Sequence, residues 1–144
     1  MHPEIKFLSI RLRAFAQATE VEERVLEAMA FASGTRDMTI TRTAGHFGNS
    51  ITVIEAELTK SGDMKRFLNR IRESGILKQF AGQEDARISE DRAFHFRLDK
   101  QKVFNEELAL ARNRDVIDVR LKIGVYPARR GDAVKKLSEW IAEF

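Results

Sequence analysis

The sequence predicts an α+β fold in which a mostly antiparallel sheet of about six strands carries its helices on one face. Three observations lead there. Some segments alternate apolar and polar residues with period two, others repeat apolar residues at helical spacing, and two pairs of alternating segments are joined by short turn-forming stretches. The expected order is β-α-β-β-α-β-β-β-α, with a short helix after the fourth strand. A chain of 144 residues with 43% hydrophobic side chains, without a shift in composition or an internal repeat, is expected to form one domain, residues 1–144, around one core.

The elements follow in order. From Ile5 to Ala14, period two places Leu8, Ile10, Leu12 and Ala14 toward the core and Phe7, Ser9, Arg11, Arg13 and Phe15 on the other face. Thr19 and Glu22 form a capping-box pattern ahead of a helix with Val21, Val25, Ala28, Met29 and Ala32 inward and Gly34 as its stop. Met38–Thr43 and Ser50–Thr59 read as strands of a hairpin around Gly45-His46-Phe47-Gly48-Asn49. Ser61 or Asp63 is placed to cap a second helix with Met64, Phe67, Leu68 and Ile71 inward and Gly75 at its end. Residues 76–86 read as irregular, with Ile76, Leu77 and Phe80 turned inward.

Ala93–Leu98 alternates again with Phe94, Phe96 and Leu98 on the core side, and Asp99 is placed to cap a short helix over residues 100–104. Leu108–Ala111 and Val116–Ile123 are expected to form a last hairpin around Asn113-Arg114-Asp115. Tyr126-Pro127 breaks the sheet, and Asp132 opens a terminal helix with Val134, Leu137, Trp140 and Ile141 as its stripe. The uncovered sheet face then carries Arg11, Arg13, Arg97, Arg120 and Lys122.

Charge is uneven along the chain. The net charge is +3, yet residues 1–96 hold 14 basic and 14 acidic residues, whereas residues 97–136 hold 11 basic and 6 acidic. A local excess of this kind points to a polyanion-facing surface. The sequence has no Cys, which excludes disulfide frameworks, zinc ribbons and thiol nucleophiles. His2, His46 and His95 match no zinc spacing, so no metal is expected. Neither a phosphate loop, a dinucleotide fingerprint nor a nucleophile elbow is present. Glu55 and Glu57 read as the solvent side of a strand rather than a catalytic pair. Binding rather than catalysis is expected, without a cofactor. No targeting segment is visible and no run approaches the roughly 20 apolar residues of a membrane span, so a cytoplasmic protein is expected.

Three motifs stand out: Gly45-His46-Phe47-Gly48-Asn49-Ser50-Ile51, Leu98-Asp99-Lys100-Gln101 and Tyr126-Pro127-Ala128-Arg129. Together they resemble an archaeal family of small RNA-binding proteins described as exosome-associated subunits, with the pattern Gly-His-His-Gly-Asn-Pro-Ile, Asp-Lys-Gln and Tyr-Pro-Ala. The family is related in fold to the large-subunit ribosomal protein that holds 5S ribosomal RNA. Phe47 stands where a second His is usual and Ser50 where Pro is usual.

The resemblance implies RNA as partner, either ribosomal RNA or an exosome substrate, with subunits of an RNA-processing complex as further partners. Arg11, Arg13, Lys100, Lys102, Arg129 and Arg130 are the expected phosphate contacts. Phe47 is the expected stacking platform, and His46, Asn49 and Gln101 the hydrogen-bonding groups. The competing expectation is a protein–protein adaptor, since arginine and aromatic residues also mark protein interfaces. Self-association through the open sheet face is left open.

Overall fold

A computed structural model describes residues 5–17, 19–44 and 50–144. The sheet is built from β1 (Lys6–Ala16), β2 (Thr39–Ala44), β3 (Ser50–Leu58), β4 (Ala93–Asp99) and β5 (Val116–Gly124). Its order is β2-β3-β1-β5-β4 and every neighbouring pair is antiparallel. The helices are α1 (Glu22–Ser33), α2 (Ser61–Ser74), α3 (Glu84–Arg87), α4 (Lys100–Phe104) and α5 (Arg130–Ile141), with a 3-10 turn at Leu77–Phe80. The α+β class, the antiparallel sheet and the β2–β3 pairing agree with the sequence expectation.

Strand alternation decides what the core contains. Ile10, Leu12 and Ala14 of β1, Ile54 and Ala56 of β3, Phe94, Phe96 and Leu98 of β4, and Ile117, Val119 and Leu121 of β5 are buried. They meet Val25 and Met29 of α1, Phe67 and Ile71 of α2, and Leu137 and Ile141 of α5 in one hydrophobic cluster. Phe80 stands edge-on to Phe94 at 5.2 Å and lies 5.6 Å from Phe96, so the irregular stretch closes the core with a ring. Burying each such side chain stabilises the fold by about 1.5–3 kcal/mol. Gly34 and Gly75 end α1 and α2 at φ 79°, in the left-handed region where a side chain is disfavoured.

Several expectations are corrected. Among the described residues the sheet has five strands, because Leu108–Ala111 forms one antiparallel bridge, Leu110 to Leu98, beside β4 instead of a hairpin arm on β5. In β1 the register shifts between Phe7 and Ser9, and that extra residue reverses the faces on its N-terminal side. Phe7 is therefore buried and packs edge-on against Trp140 at 5.2 Å, while Leu8 is 48% exposed.

The Thr19–Glu22 capping box does not form. Val21 occupies the N-cap without a side-chain bond, Glu22 pairs with Arg42, and Glu20 turns to Lys100. Likewise α2 starts behind Lys60 with no side-chain cap, and α5 begins at Arg130, two residues before Asp132. No helix among the described residues is long and apolar enough to cross a membrane.

Candidate nucleic-acid interface

At the end of β4, Asp99 sits at the N-cap of α4 and accepts from the Lys102 N–H at 3.1 Å, as its position predicts. The next residue behaves unexpectedly. Lys100 is 1% exposed, and its ammonium donates to the Phe15 carbonyl at 2.8 Å and to Glu20 Oε1 at 2.9 Å, and lies 2.9 Å from Asp115 Oδ1. An ammonium has three donors, so all three are committed to the protein. Lys100 is therefore not a phosphate contact but a tie between β1, the β1–α1 connection and the start of β5.

Gln101 donates from Nε2 to Asp115 Oδ2 at 2.5 Å. Burial pushes the Asp115 carboxyl up, yet hydrogen bonds from Lys100 and Gln101 and the Lys100 charge outweigh it and hold that carboxyl below the usual aspartate range. Gln101 is exposed and its amide is engaged here. Lys102 is half-buried, and among the described residues its side chain has no partner.

The uncovered sheet face carries the arginines that alternation placed there, interleaved with carboxylates. One cross-strand row runs Glu55, Arg13, Asp118, Arg97, and the next runs Glu57, Arg11, Arg120, His95. Arg97 Nε bonds Asp118 at 3.1 Å, Asp91 takes Arg120, and Lys122 lies 3.8 Å from Asp91. Arg13 stacks over Phe15 with 5.6 Å to the ring centroid, and Arg11 has no side-chain partner among the described residues.

The third motif lies at the other end. β5 starts beside the end of β1, where Ile117 faces Ala14, and finishes beside its start, where Gly124 faces Lys6. The Asp99–Gln101 turn, the end of β2 at Ala44 and the start of β3 at Ser50 thus share one end of the sheet, whereas Tyr126–Arg130 follows at the opposite end. A strand of this length separates them by about 26 Å. Arg130 is turned into the protein, donating to Asp85 Oδ1 at 2.8 Å and to the Ile88 carbonyl at 3.1 Å, so its expected phosphate role gives way to fixing α5 against α3. Arg129 is exposed, and its side chain has no partner among the described residues. His46, Phe47 and Asn49 lie outside the described residues.

The basic window therefore does not form one basic patch. Lys100, Arg120, Lys122 and Arg130 are matched by Glu20, Asp91 and Asp85, all from the charge-balanced part of the chain. What remains can be sorted residue by residue. The helix arginines are engaged: Arg66 and Arg130 by carboxylates, and Arg24, Arg70, Arg72 and Arg87 by aromatic rings. Arg11, Arg92, Arg112, Arg114 and Arg129 have neither kind of partner among the described residues, and none belongs to a helix.

Arg11 lies on the open face, Arg112 and Arg114 are exposed just before β5, and Arg92 and Arg129 sit at the opposite end. Arg92, Arg112 and Arg114 were not singled out by the sequence reading, although the basic window contained two of them. Their turn positions between elements were the available signal. Among the described residues no group of three acidic or histidine side chains is placed to hold a metal.

A family model described as RNA binding matches residues 9–123, which takes in the whole sheet apart from its first strand residues and the end of β5. The chain belongs to this RNA-binding family. A relative from Pyrococcus abyssi, RNA-binding protein PAB1135, is 33% identical over 92% of this chain and 92% of its own length. MJ0213 of Methanocaldococcus jannaschii is 28% identical over 90% of this chain and 93% of its own. The solved structure of Mth689, a DUF54 protein from Methanothermobacter thermautotrophicus, superposes with a TM-score of 0.83 at 25% identity, covering 96% of this chain and 99% of that one. The Mth689 structure thus shares the overall fold of this chain.

Proposed function

We propose that the chain is a non-catalytic RNA-binding protein whose contact surface is the open sheet face and the loops at its ends. The observation that carries this reading is the sorting of arginines: those on the helices are occupied, while those left unpartnered lie on the sheet and its connections. An unpaired guanidinium offers its donors to phosphate without first breaking an internal ion pair.

Arg11 contacts the RNA backbone from β1, and Arg112 and Arg114 do so from the loop before β5; Arg13, stacked over Phe15, is retained as a proposed contact beside that ring. Phe15, 39% exposed beside Arg13, adds an aromatic surface for a base. Lys102 supplies a further cation, and Arg129 one at the far end. His46, Phe47 and Asn49 in the β2–β3 connection are retained as proposed contacts. An accessory role in RNA processing or degradation, within an exosome-like assembly, is supported by the resemblance of the three motifs, and the cytoplasm is its proposed setting.

Titration of labelled RNA against salt tests the reading. Log affinity is expected to fall linearly with log salt, by about 0.7 per phosphate neutralised on a single strand. A flat dependence, or no binding near about 50 mM salt where such contacts are strong, contradicts it. Co-purification with RNA-degrading subunits that persists after nuclease treatment tests the accessory role separately.

A further inference from the structure

Tyr126 is 99% exposed, and it is the one tyrosine of the chain. Its turn is nevertheless anchored on both sides. On one side Gly124 pairs with Lys6, and a Cβ there would meet Leu8 Cδ2 at 2.9 Å, so the two strands approach closely. Val125 packs against the core. On the other side the Arg129 N–H donates to the Pro127 carbonyl at 2.8 Å, and Arg130 is bound to Asp85 and the Ile88 carbonyl. The backbone is held while the ring stands in water.

Two arginines are tied by their backbones to the segment around this turn. Arg129 lies three residues on, and Arg92 accepts at its carbonyl from the Ile123 N–H at 2.9 Å, three residues before the tyrosine. Both side chains are unpartnered among the described residues. Burial, and after it the charges of Arg120 and Arg92, pulls the neighbouring Lys122 below the usual lysine range, so the Arg92 charge is felt on this part of the sheet. The nearby carboxylates are Asp91, which faces Arg120 and Lys122, Asp85, which takes Arg130, and Asp132 in the first turn of α5.

We propose that Tyr126 is a stacking platform for an unpaired RNA base, with Arg129 and Arg92 receiving the flanking phosphates. This rests on the RNA-binding reading and adds a second contact point about 26 Å from the Arg112–Arg114 loop. A base has a π-face whatever its sequence, and a ring carried on a backbone already held has only its side-chain torsions to fix when a base stacks on it. Guanidinium groups on either side suit the phosphates that bracket a base. An apolar protein partner would gain little from a lone ring set among cations. The site therefore selects single-stranded RNA, or an unpaired nucleotide beside a helix, over continuous duplex.

The test uses the full chain with fluorotyrosine incorporated, so that the 19F spectrum holds a single resonance, and a labelled single-stranded oligoribonucleotide compared with a blunt duplex. The single strand is expected to shift the resonance. Tyr126→Ala is expected to weaken single-strand binding about tenfold while leaving the salt slope and thermal unfolding unchanged. Tyr126→Phe restores binding, and Arg129→Glu lowers the slope by about 0.7 or more. Unchanged single-strand affinity in Tyr126→Ala, with an unshifted resonance, overturns the stacking site and leaves the RNA-binding reading standing. Equal losses on single strand and duplex also overturn it. If the unsubstituted chain binds no RNA at all, both fail together.

Discussion

Lys100 and Arg129 flank helices at opposite ends of the same sheet, and in sequence both read as basic residues at a helix start. In the fold they are opposites. Lys100 is buried with its ammonium held by the Phe15 carbonyl, Glu20 and Asp115, whereas Arg129, three residues after the exposed Tyr126, stands in water with no side-chain partner among the described residues. The difference comes from acceptors distant in sequence: Glu20 lies 80 residues from Lys100. A cation marks an interface only when the fold has not already supplied its counter-charge. The same rule separates Arg130 from Arg129, although they are adjacent.

The largest effect that sharpens this contrast belongs to Lys100→Met. Removing the buried ammonium leaves a carbonyl and two carboxylates without their donor, and a loss of about 3 kcal/mol is expected, or about 10 °C in the unfolding midpoint. Urea and thermal unfolding measure it. RNA affinity below the transition stays within twofold. A collapse of affinity in a folded Lys100→Met protein would return that residue to the interface.

Next in size is Arg112→Glu with Arg114→Glu. Both side chains are exposed and have no partner among the described residues, so stability should move by less than about 0.5 kcal/mol, while RNA affinity falls at least about tenfold through lost phosphate contacts. Fluorescence anisotropy reads the second and chemical denaturation the first.

Asp115→Asn is expected to cost about 1 kcal/mol by weakening the Lys100 and Gln101 bonds. It also has a pH signature. A carboxyl whose folded pKa is lowered stabilises fully above its unfolded value, about 3.9, and this contribution is lost as pH falls through the lowered folded value. The gap in stability between the parent chain and Asp115→Asn should therefore narrow on acidification below about pH 4. A gap that stays constant down to low pH would break the account of that tie. The smallest effect is assigned to Arg130→Ala, about 1 kcal/mol or less because its bonds to Asp85 are largely exposed. Faster amide exchange in the first turn of α5 would accompany it.

Much of the fold was legible because it rests on short-range rules. Period two fixed the faces of β3, β4 and β5, and Gly34, Gly75 and Asp99 ended or capped helices where their backbone chemistry demands. The reversal of Phe7 and Leu8 was not legible, since a bulge shows itself only against a partner strand. Leu108–Ala111 alternates like a strand, yet its bonding reaches only Arg97 and Asp99 on β4.

The site was read less well for an electrostatic reason. A charge window counts residues adjacent in sequence, whereas Lys100, Arg120 and Arg130 find acids 80, 29 and 45 residues away. Arg112 and Arg114 lie in the same window and have no partner among the described residues, and only their turn position before β5 sets them apart from the paired cations.

The central claim is that RNA is held by the arginines the fold leaves unpartnered, not by the basic window as a whole. The most direct measurement compares the salt slope of RNA binding for two double variants of equal charge change. Arg112→Gln with Arg114→Gln removes unpartnered cations, and Arg97→Gln with Arg120→Gln removes cations paired to Asp118 and Asp91. The slope is expected to fall by about 1.4 in the first, at about 0.7 per phosphate contact on a single strand, and to stay unchanged in the second. Equal falls in the two, or a larger fall in the second, would contradict the account.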